Sequence, residues 1–333
     1  MKRIDNIFAQ ICSKENLERA DAVARIGKSR RREIREFDKN RDALLAALRE
    51  ELLAGNYHTS KYITKEIFDP KHRLICWLPY YKDRIVHQAI LNICGPIWRK
   101  VLTRDTFACI KGRGTHAARR RLKAMLDKDP EGTRFCLKID IKHFYQSIPH
   151  DKLKAVVRHK IKDARALALI DEIIESWPEG LPLGSSPSQH LANLYLSYKV
   201  DHALKERHNV KYMIRYMDDI VFLAGTKDEL RRILAVLRVQ LAGLGLDLKG
   251  NWAIFPVESR GIDFLGFVFY HGYIRLRKRI KRNIFRKLAR LRRQALPLEK
   301  IRRAVSSYIG WLKYTNSKHL ILTLNTFCYG QVF

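Results

Sequence analysis

Two adjacent carboxylates, Asp218 and Asp219, sit in "IRYMDDIVFLAG" between apolar runs. Like charges side by side repel, and burying them is costly unless something compensates. A third carboxylate, Asp140, closes the apolar run in "FCLKIDI". Convergent carboxylates on a basic chain suit hard divalent cations, which take oxygen ligands and neutralise the repulsion. Two such ions stabilise the attacking and leaving oxygens of an in-line phosphoryl displacement. That chemistry needs carboxylates and little else, so the absence of a Ser/His or Cys/His arrangement is no objection. A bare Asp-Asp pair is more often a β-turn, because Asp favours turns. The β-rich flanks and the upstream strand ending in Asp140 weigh against that reading here.

For the three carboxylates to meet, their strands must be neighbours in one sheet. The run 135–140 reads as a short strand with Asp140 at its C-terminal end. "YMIRYMDDIVFLAG" reads as two β-runs joined tightly at the Asp pair. "YITKEIFDPKHRLICWLPY" predicts a hairpin with Asp69-Pro70-Lys71-His72 at a basic tip, and "GIDFLGFVFYHGYIRLR" another that turns at His271-Gly272. Helical periodicity marks "REFDKNRDALLAALREELLAGNY", stopped by Gly55-Asn56, and also "KDRIVHQAILNICGPIW" and "KDELRRILAVLRVQLAGLG". A helical segment follows Asp140 through about residue 170. "FACIKGRGTHAARRRLKAML" is a glycine-bearing basic loop leading into a helix. "EGLPLGSSPSQHLANLYLSYKVDHAL" is a Gly/Pro/Ser turn that opens a long apolar one.

The chain has 333 residues and a formal net charge of +31, from 65 Lys+Arg against 34 Asp+Glu. That excess implies a polyanionic partner, nucleic acid or an acidic membrane surface. Nothing resembles a signal peptide, and no apolar run approaches the ~20 residues of a membrane span, which favours nucleic acid inside the cell. Cysteines at 12, 76, 94, 109, 136 and 328 form no CxxC pair, so reduced core thiols are expected and a structural zinc is not. Between 275 and 303 there are fourteen Lys or Arg and one acid, Glu299. There Ile280, Ile284, Leu288, Leu291 and Ala295 make an apolar stripe, and Arg282, Arg286, Arg290 and Arg293 a parallel basic one. A charge run is usually a solvated face; the strict stripe and near absence of acids favour a helix that grips phosphates.

Taken together, these motifs resemble a reverse transcriptase over nearly the whole chain and in the family's order. "YMDD" at 216–219 matches its most specific motif. "LKIDIKHFYQSI" matches the palm strand with the first metal aspartate, and "GLPLGSSPSQHLANLYL" the segment under template and nucleotide. "HRLICWLPYYKDRIVHQAIL" matches the fingers, "RGTHAARRRL" the loop of bacterial and group II intron enzymes, and "IDFLGFVF" the primer-grip hairpin. "SSYIGWLKYTNS" lies in what resembles a thumb. The resemblance implies a mixed α/β (α+β), right-hand polymerase fold with fingers, a palm built on an antiparallel sheet, and a helical thumb. The expected divisions are an N-terminal helical extension over 1–60, fingers over 61–134, palm over 135–275 with fingers helices at about 150–178, and a basic thumb over 276–333. It also implies two Mg2+ ions on Asp140, Asp218 and Asp219 with the Ile141 carbonyl. Tyr145 matches the aromatic gate that rejects a 2′-hydroxyl. Lys71 and Arg73 would meet the triphosphate of the incoming dNTP. Lys249 stands where many polymerases place a general acid for pyrophosphate, with a surface lysine as the competing reading. Arg113 and the four thumb arginines would contact template RNA and the RNA–cDNA duplex.

The nucleotide-pocket segment departs from the common pattern. Many relatives read "PQG" and then "SP"; this chain reads Pro182-Leu183-Gly184 and Ser188-Gln189. Leu-Gly-x-x-x-Ser-Gln resembles the enzymes of diversity-generating retroelements, which copy a template RNA with frequent errors at adenines so that the cDNA can diversify a target gene. Leucine offers contact where glutamine offers a hydrogen bond, and losing a polar contact worth ~1 kcal/mol weakens discrimination. That resemblance implies a small basic accessory protein, a pentamer, as partner, and a cytoplasmic location in a bacterium or a phage-infected host. The chain shows no endonuclease-like His/Asn/Cys cluster, no RNase H module and no retron "VTG". A phage-defence enzyme of the abortive-infection type is the alternative, and a non-catalytic RNA-binding scaffold a weaker one.

Overall fold

The computed structural model describes residues 3–68, 72–294 and 297–329. Contacts divide the chain into two units. One comprises residues up to Lys111, Ile141–Val210 and Leu234–Gly250; the other Gly112–Asp140, Lys211–Ile233 and everything from Asn251 on.

The first unit is mostly helical. Lys14–Ala24 packs on Ile85–Arg99, burying Leu17, Ala20, Val86, Ala89 and Ile90. Arg41–Ala54 buries Leu45, Leu48 and Leu52, a stripe at the i, i+3, i+7 spacing of one helix face. It stops at Gly55, whose φ of +74° gives a left-handed C-cap, as the Gly55-Asn56 signal predicts. Ala164–Glu175 begins at Asp163, whose carboxylate accepts from Ala166 N, Ile7 N and Phe8 N. The expected basic hairpin forms from Ile63–Ile67 and Arg73–Trp77, paired antiparallel with Ile63 opposite Trp77.

The second unit holds four antiparallel strands in the order Tyr212–Tyr216, Asp219–Ala224, Phe135–Asp140, Ala253–Pro256. Their inner positions are apolar and buried: Leu137, Ile139, Ile214, Ile220, Val221 and Phe222. The two runs that flank the Asp pair are therefore strands, and the strand ending in Asp140 lies beside them. Ala253–Pro256 is a strand of four residues, too few for alternation to mark it in the sequence.

Two expectations need correction. The run from Ile262 to Leu276 is a three-stranded meander, Ile262–Phe264, Phe267–Phe269 and Ile274–Leu276, rather than one hairpin turning at His271-Gly272. The chain already reverses at Leu265-Gly266, where φ values of +51° and +87° close a two-residue turn between two phenylalanines. The second correction concerns the Asp pair. Only Met217 and Asp218 form the loop between their strands, while Asp219 is already the first residue of its strand.

Helices Lys278–Arg293, Leu298–Leu312 and Lys318–Tyr329 close this unit. Ile284, Leu288 and Leu291 are buried and Ile280 half-buried, while Arg282, Arg286, Arg290 and Arg293 are exposed, so the two stripes occupy opposite faces. Ala295, the last of the apolar stripe, lies outside the described residues. Among the described residues Cys12, Cys76, Cys94, Cys109 and Cys136 are free thiols, and no helix is long and apolar enough to cross a membrane.

Candidate active site

The register of the second unit's sheet sets Asp140 directly opposite Asp219. Residues opposite one another on antiparallel strands project to the same face, about 5 Å apart at Cβ. Tyr216 is opposite Asp219 on the other side, and its hydroxyl lies 3.4 Å from Thr115 Oγ1. Asp218 rides on the two-residue loop after Met217, which holds φ +56°. That loop is fastened from beneath: Arg215 is fully buried and its guanidinium donates to Met217 O at 3.2 Å. A buried guanidinium needs acceptors around it, and the loop carbonyl is one.

The carboxylates are not equivalent. Asp219 keeps 29% of its side-chain surface, yet its Oδ1 is shut off from solvent without a well-aligned hydrogen-bond donor. Burial pushes its pKa up, Lys138 draws it back down, and Asp140 pushes it up again. Lys138 Nζ stands 3.4 Å from that oxygen and also donates to the carbonyl of Asp263 on the meander. Asp263 in turn accepts from Arg277 Nε at 2.6 Å. A cavity of about 280 Å3 opens here, lined by Lys138, Asp140, Asp219, Asn251, Arg260 and Asp263. Among the described residues no three His, Cys, Asp or Glu side chains are gathered as a ready metal cage. Two opposed carboxylates, one with a sequestered oxygen whose nearest cation is a lysine 3.4 Å away and not well aligned, nonetheless offer the oxygen donors that a hard cation takes.

The first unit holds most of the other expected residues. Ile141 is buried and bridges to Leu248. Tyr145 is half-buried, edge-on to Phe144, and its carbonyl accepts from Leu181 N at 2.8 Å. Two residues on, the Leu183 carbonyl accepts from Cys76 N at 2.7 Å, fastening the turn to the Arg73–Trp77 strand. Gly184 is exposed, and Gln189 Oε1 accepts from the Cys109 thiol at 3.0 Å. Arg73 is exposed and Lys249 half-buried; Arg113, in the second unit, is half-buried. Lys71 lies outside the described residues.

A sequence profile described as "Reverse transcriptase (RNA-dependent DNA polymerase)" matches residues 63–269, more than half of the chain. The chain belongs to the reverse transcriptase family. It is 28% identical to Protein YkfC of Escherichia coli over 283 residues, 71% of this chain and 72% of that one. It is 30% identical over 125 residues to an uncharacterized 91 kDa protein in a cob intron of Schizosaccharomyces pombe, and 27% over 129 residues to the group II intron-encoded protein LtrA of Lactococcus lactis. The match spans 15% and 21% of those two proteins. Among solved structures, apo telomerase from Candida tropicalis matches with a TM-score of 0.51 at 14% identity, over 66% of this chain and 49% of that one. Likeness at that identity is one of fold, and the fold is the right-hand polymerase fold expected from the motifs.

This reverse transcriptase carries groups near its carboxylates that periodicity alone does not expose. Lys138, Arg215, Asp263 and Arg277 read as ordinary surface or strand residues; their proximity to the Asp pair follows from strand register and the meander's return. A second cavity, about 350 Å3, lies in the first unit and is lined by Lys28, Arg31, Trp77, Arg84, His87 and Ser185. Burial above all, then the nearby charges of Arg84 and Arg31, hold Lys28 below its usual pKa. His87 Nε2 and Ser185 Oγ are buried there without partners, and burial lowers the His87 pKa to about 4, so the ring stays neutral.

Proposed function

We propose that this chain synthesises DNA on an RNA template, with Asp140 and Asp219, joined by Asp218 from the adjoining loop, as ligands of two Mg2+ ions. The observation that carries the reading is the pairing of Asp140 with Asp219 across adjacent strands, with Asp219 Oδ1 sequestered. Bound divalent cations supply charge stabilisation for phosphoryl transfer. The chain's own part is to hold the carboxylates on rigid strands and to seat the substrates. In this reading residues 61–134 are fingers, 135–275 palm and 276–333 thumb, following the N-terminal extension 1–60. The Ile141 carbonyl is a further ligand, and the Tyr145 ring lies under the sugar and rejects a 2′-hydroxyl. Leu183, Gly184 and Gln189 wall the nascent pair. Lys71, Arg73 and Lys249 meet the triphosphate, and Arg113 the nucleic acid. Three crowded cations, Lys28, Arg31 and Arg84, with unpartnered Ser185 and His87, suit phosphates of the template strand.

The Leu183-Gly184-x-x-x-Ser188-Gln189 sequence supports a finer role, error-prone copying that diversifies a target gene together with a small basic pentameric partner. Primer extension on a defined RNA with Mg2+ tests both levels. Asp219→Asn should lower the rate at least about a hundredfold, as loss of a transition-state charge contact does. A rate within a few-fold of the unaltered protein would remove Asp219 from the site. Sequencing of the cDNA should find errors concentrated at template adenines; errors spread evenly over four bases would leave a general reverse transcriptase.

A further inference from the structure

We propose that Lys138 is a placeholder cation, whose ammonium holds the Asp219 carboxylate while the site is metal-free and yields it when a divalent ion binds. Lys138 lies two residues before Asp140 on the same strand, and the period-two alternation of a strand puts both on one face. Its Nζ is 3.4 Å from Asp219 Oδ1, the oxygen that lacks a well-aligned donor and that a hard cation would take. The ammonium and a divalent ion are therefore competitors for one oxygen. At a few ångströms in a partly buried site their mutual repulsion is strong, so both cannot hold it at full strength. Lys138 has a second anchor, the carbonyl of Asp263, whose carboxylate is already occupied by Arg277. A lysine is a point charge on a flexible stem, so it can retreat to that carbonyl without breaking another ion pair. Its role is thus positional: it compensates two opposed carboxylates before the ion arrives, and it weakens ion binding to the free protein.

This rests on Asp140 and Asp219 as ion ligands, and the test separates the two ideas. Mn2+ binding to the full chain is measured by electron paramagnetic resonance without nucleotide or nucleic acid. Lys138→Met should bind Mn2+ about tenfold more tightly, since a competing charge is gone. Lys138→Arg, which keeps the charge, should resemble the unaltered protein. Unchanged or weaker binding by Lys138→Met overturns the proposal. Asp219→Asn, measured alongside, should weaken binding. If it does not, the carboxylate site itself falls and the placeholder with it; if it does while Lys138→Met fails to tighten, only the placeholder falls. A second measurement needs no variant. Acylation of Lys138 by a water-soluble N-hydroxysuccinimide ester, read by mass spectrometry, should rise when Mg2+ is added and the ammonium is released. Equal labelling with and without Mg2+ contradicts displacement.

Discussion

At Leu183 the backbone and the side chain do separate work. The carbonyl is committed to Cys76 N at 2.7 Å, which fixes the turn whatever side chain the residue carries. Gly184 keeps the turn flat against the same strand: its φ is +115° and a Cβ there would stand 2.3 Å from Cys76 O. The Leu183 side chain, half-buried, is then free to vary in chemistry without dismantling the loop. As leucine it contributes contact but no directional hydrogen bond; if it walls the nascent pair as proposed, correct and incorrect base pairs there should differ less in free energy. Leu183→Gln should restore a polar group that a mispair leaves unsatisfied, worth about 1 kcal/mol or roughly fivefold in discrimination. Total synthesis should persist, because the carboxylates and the turn are untouched. Misincorporation per template base on a defined RNA measures it. A fall confined to template adenine supports the diversification reading, and an equal fall at all four bases makes Leu183 a general fidelity residue.

Among the elements, the Ala164–Glu175 helix shows how one capping residue joins distant sequence. Asp163 caps the helix through Ala166 N at 3.0 Å and also receives Ile7 N and Phe8 N, each at 2.8 Å. Burial pushes its pKa up, but the hydrogen bonds from Ala166, Phe8 and Ile7 outweigh this and leave it below the usual carboxylate value. A depressed folded pKa stabilises the fold above the unfolded value, and that stabilisation is lost as pH falls through the folded one. Asp163→Ala removes the cap and strands two buried N–H groups, at a cost of about 2–4 kcal/mol near neutral pH. In urea unfolding the gap between the two proteins should narrow below the ordinary Asp range; a gap constant with pH would mean the carboxylate charge contributes nothing. The sequence offered no hint of this tie, because it links residues 156 positions apart. The same limit applies at the carboxylates. Asp140, the two strands around Met217-Asp218 and the basic hairpin were legible because alternation, turn residues and a specific motif all mark local structure. Lys138 against Asp219 and Arg215 under Met217 depend on register and burial, which a single strand's pattern does not encode. The early reversal at Leu265-Gly266 escaped for a related reason. Its flanks are equally apolar, and the lone Gly266 between them reads as a bulge within one strand as readily as a reversal.

On the scale of the whole molecule, a net charge of +31 must be reconciled with a folded state. The Lys278–Arg293 helix states the problem locally. Arg282, Arg286 and Arg290 recur at i, i+4, a spacing at which like charges destabilise an isolated helix. The helix is held by its other face, where Ile284, Leu288 and Leu291 are buried. This arrangement leaves a row of exposed arginines whose repulsion a polyanion would relieve, so binding and helix stability should rise together. If the row contacts phosphates, each contact releases condensed counterions and contributes to the salt dependence of binding. Replacing Arg286 and Arg290 with Gln should weaken binding to an RNA–DNA duplex and reduce the slope of log K against log [salt] by about two units, near 0.9 per lost contact. The buried stripe is untouched, so the helix itself should persist, as circular dichroism can verify. The decisive quantity is the slope rather than the affinity, because a distant charge also weakens binding but leaves the number of displaced ions nearly unchanged. An unaltered slope would mark the row as solvated surface and move the duplex contacts elsewhere on this basic chain.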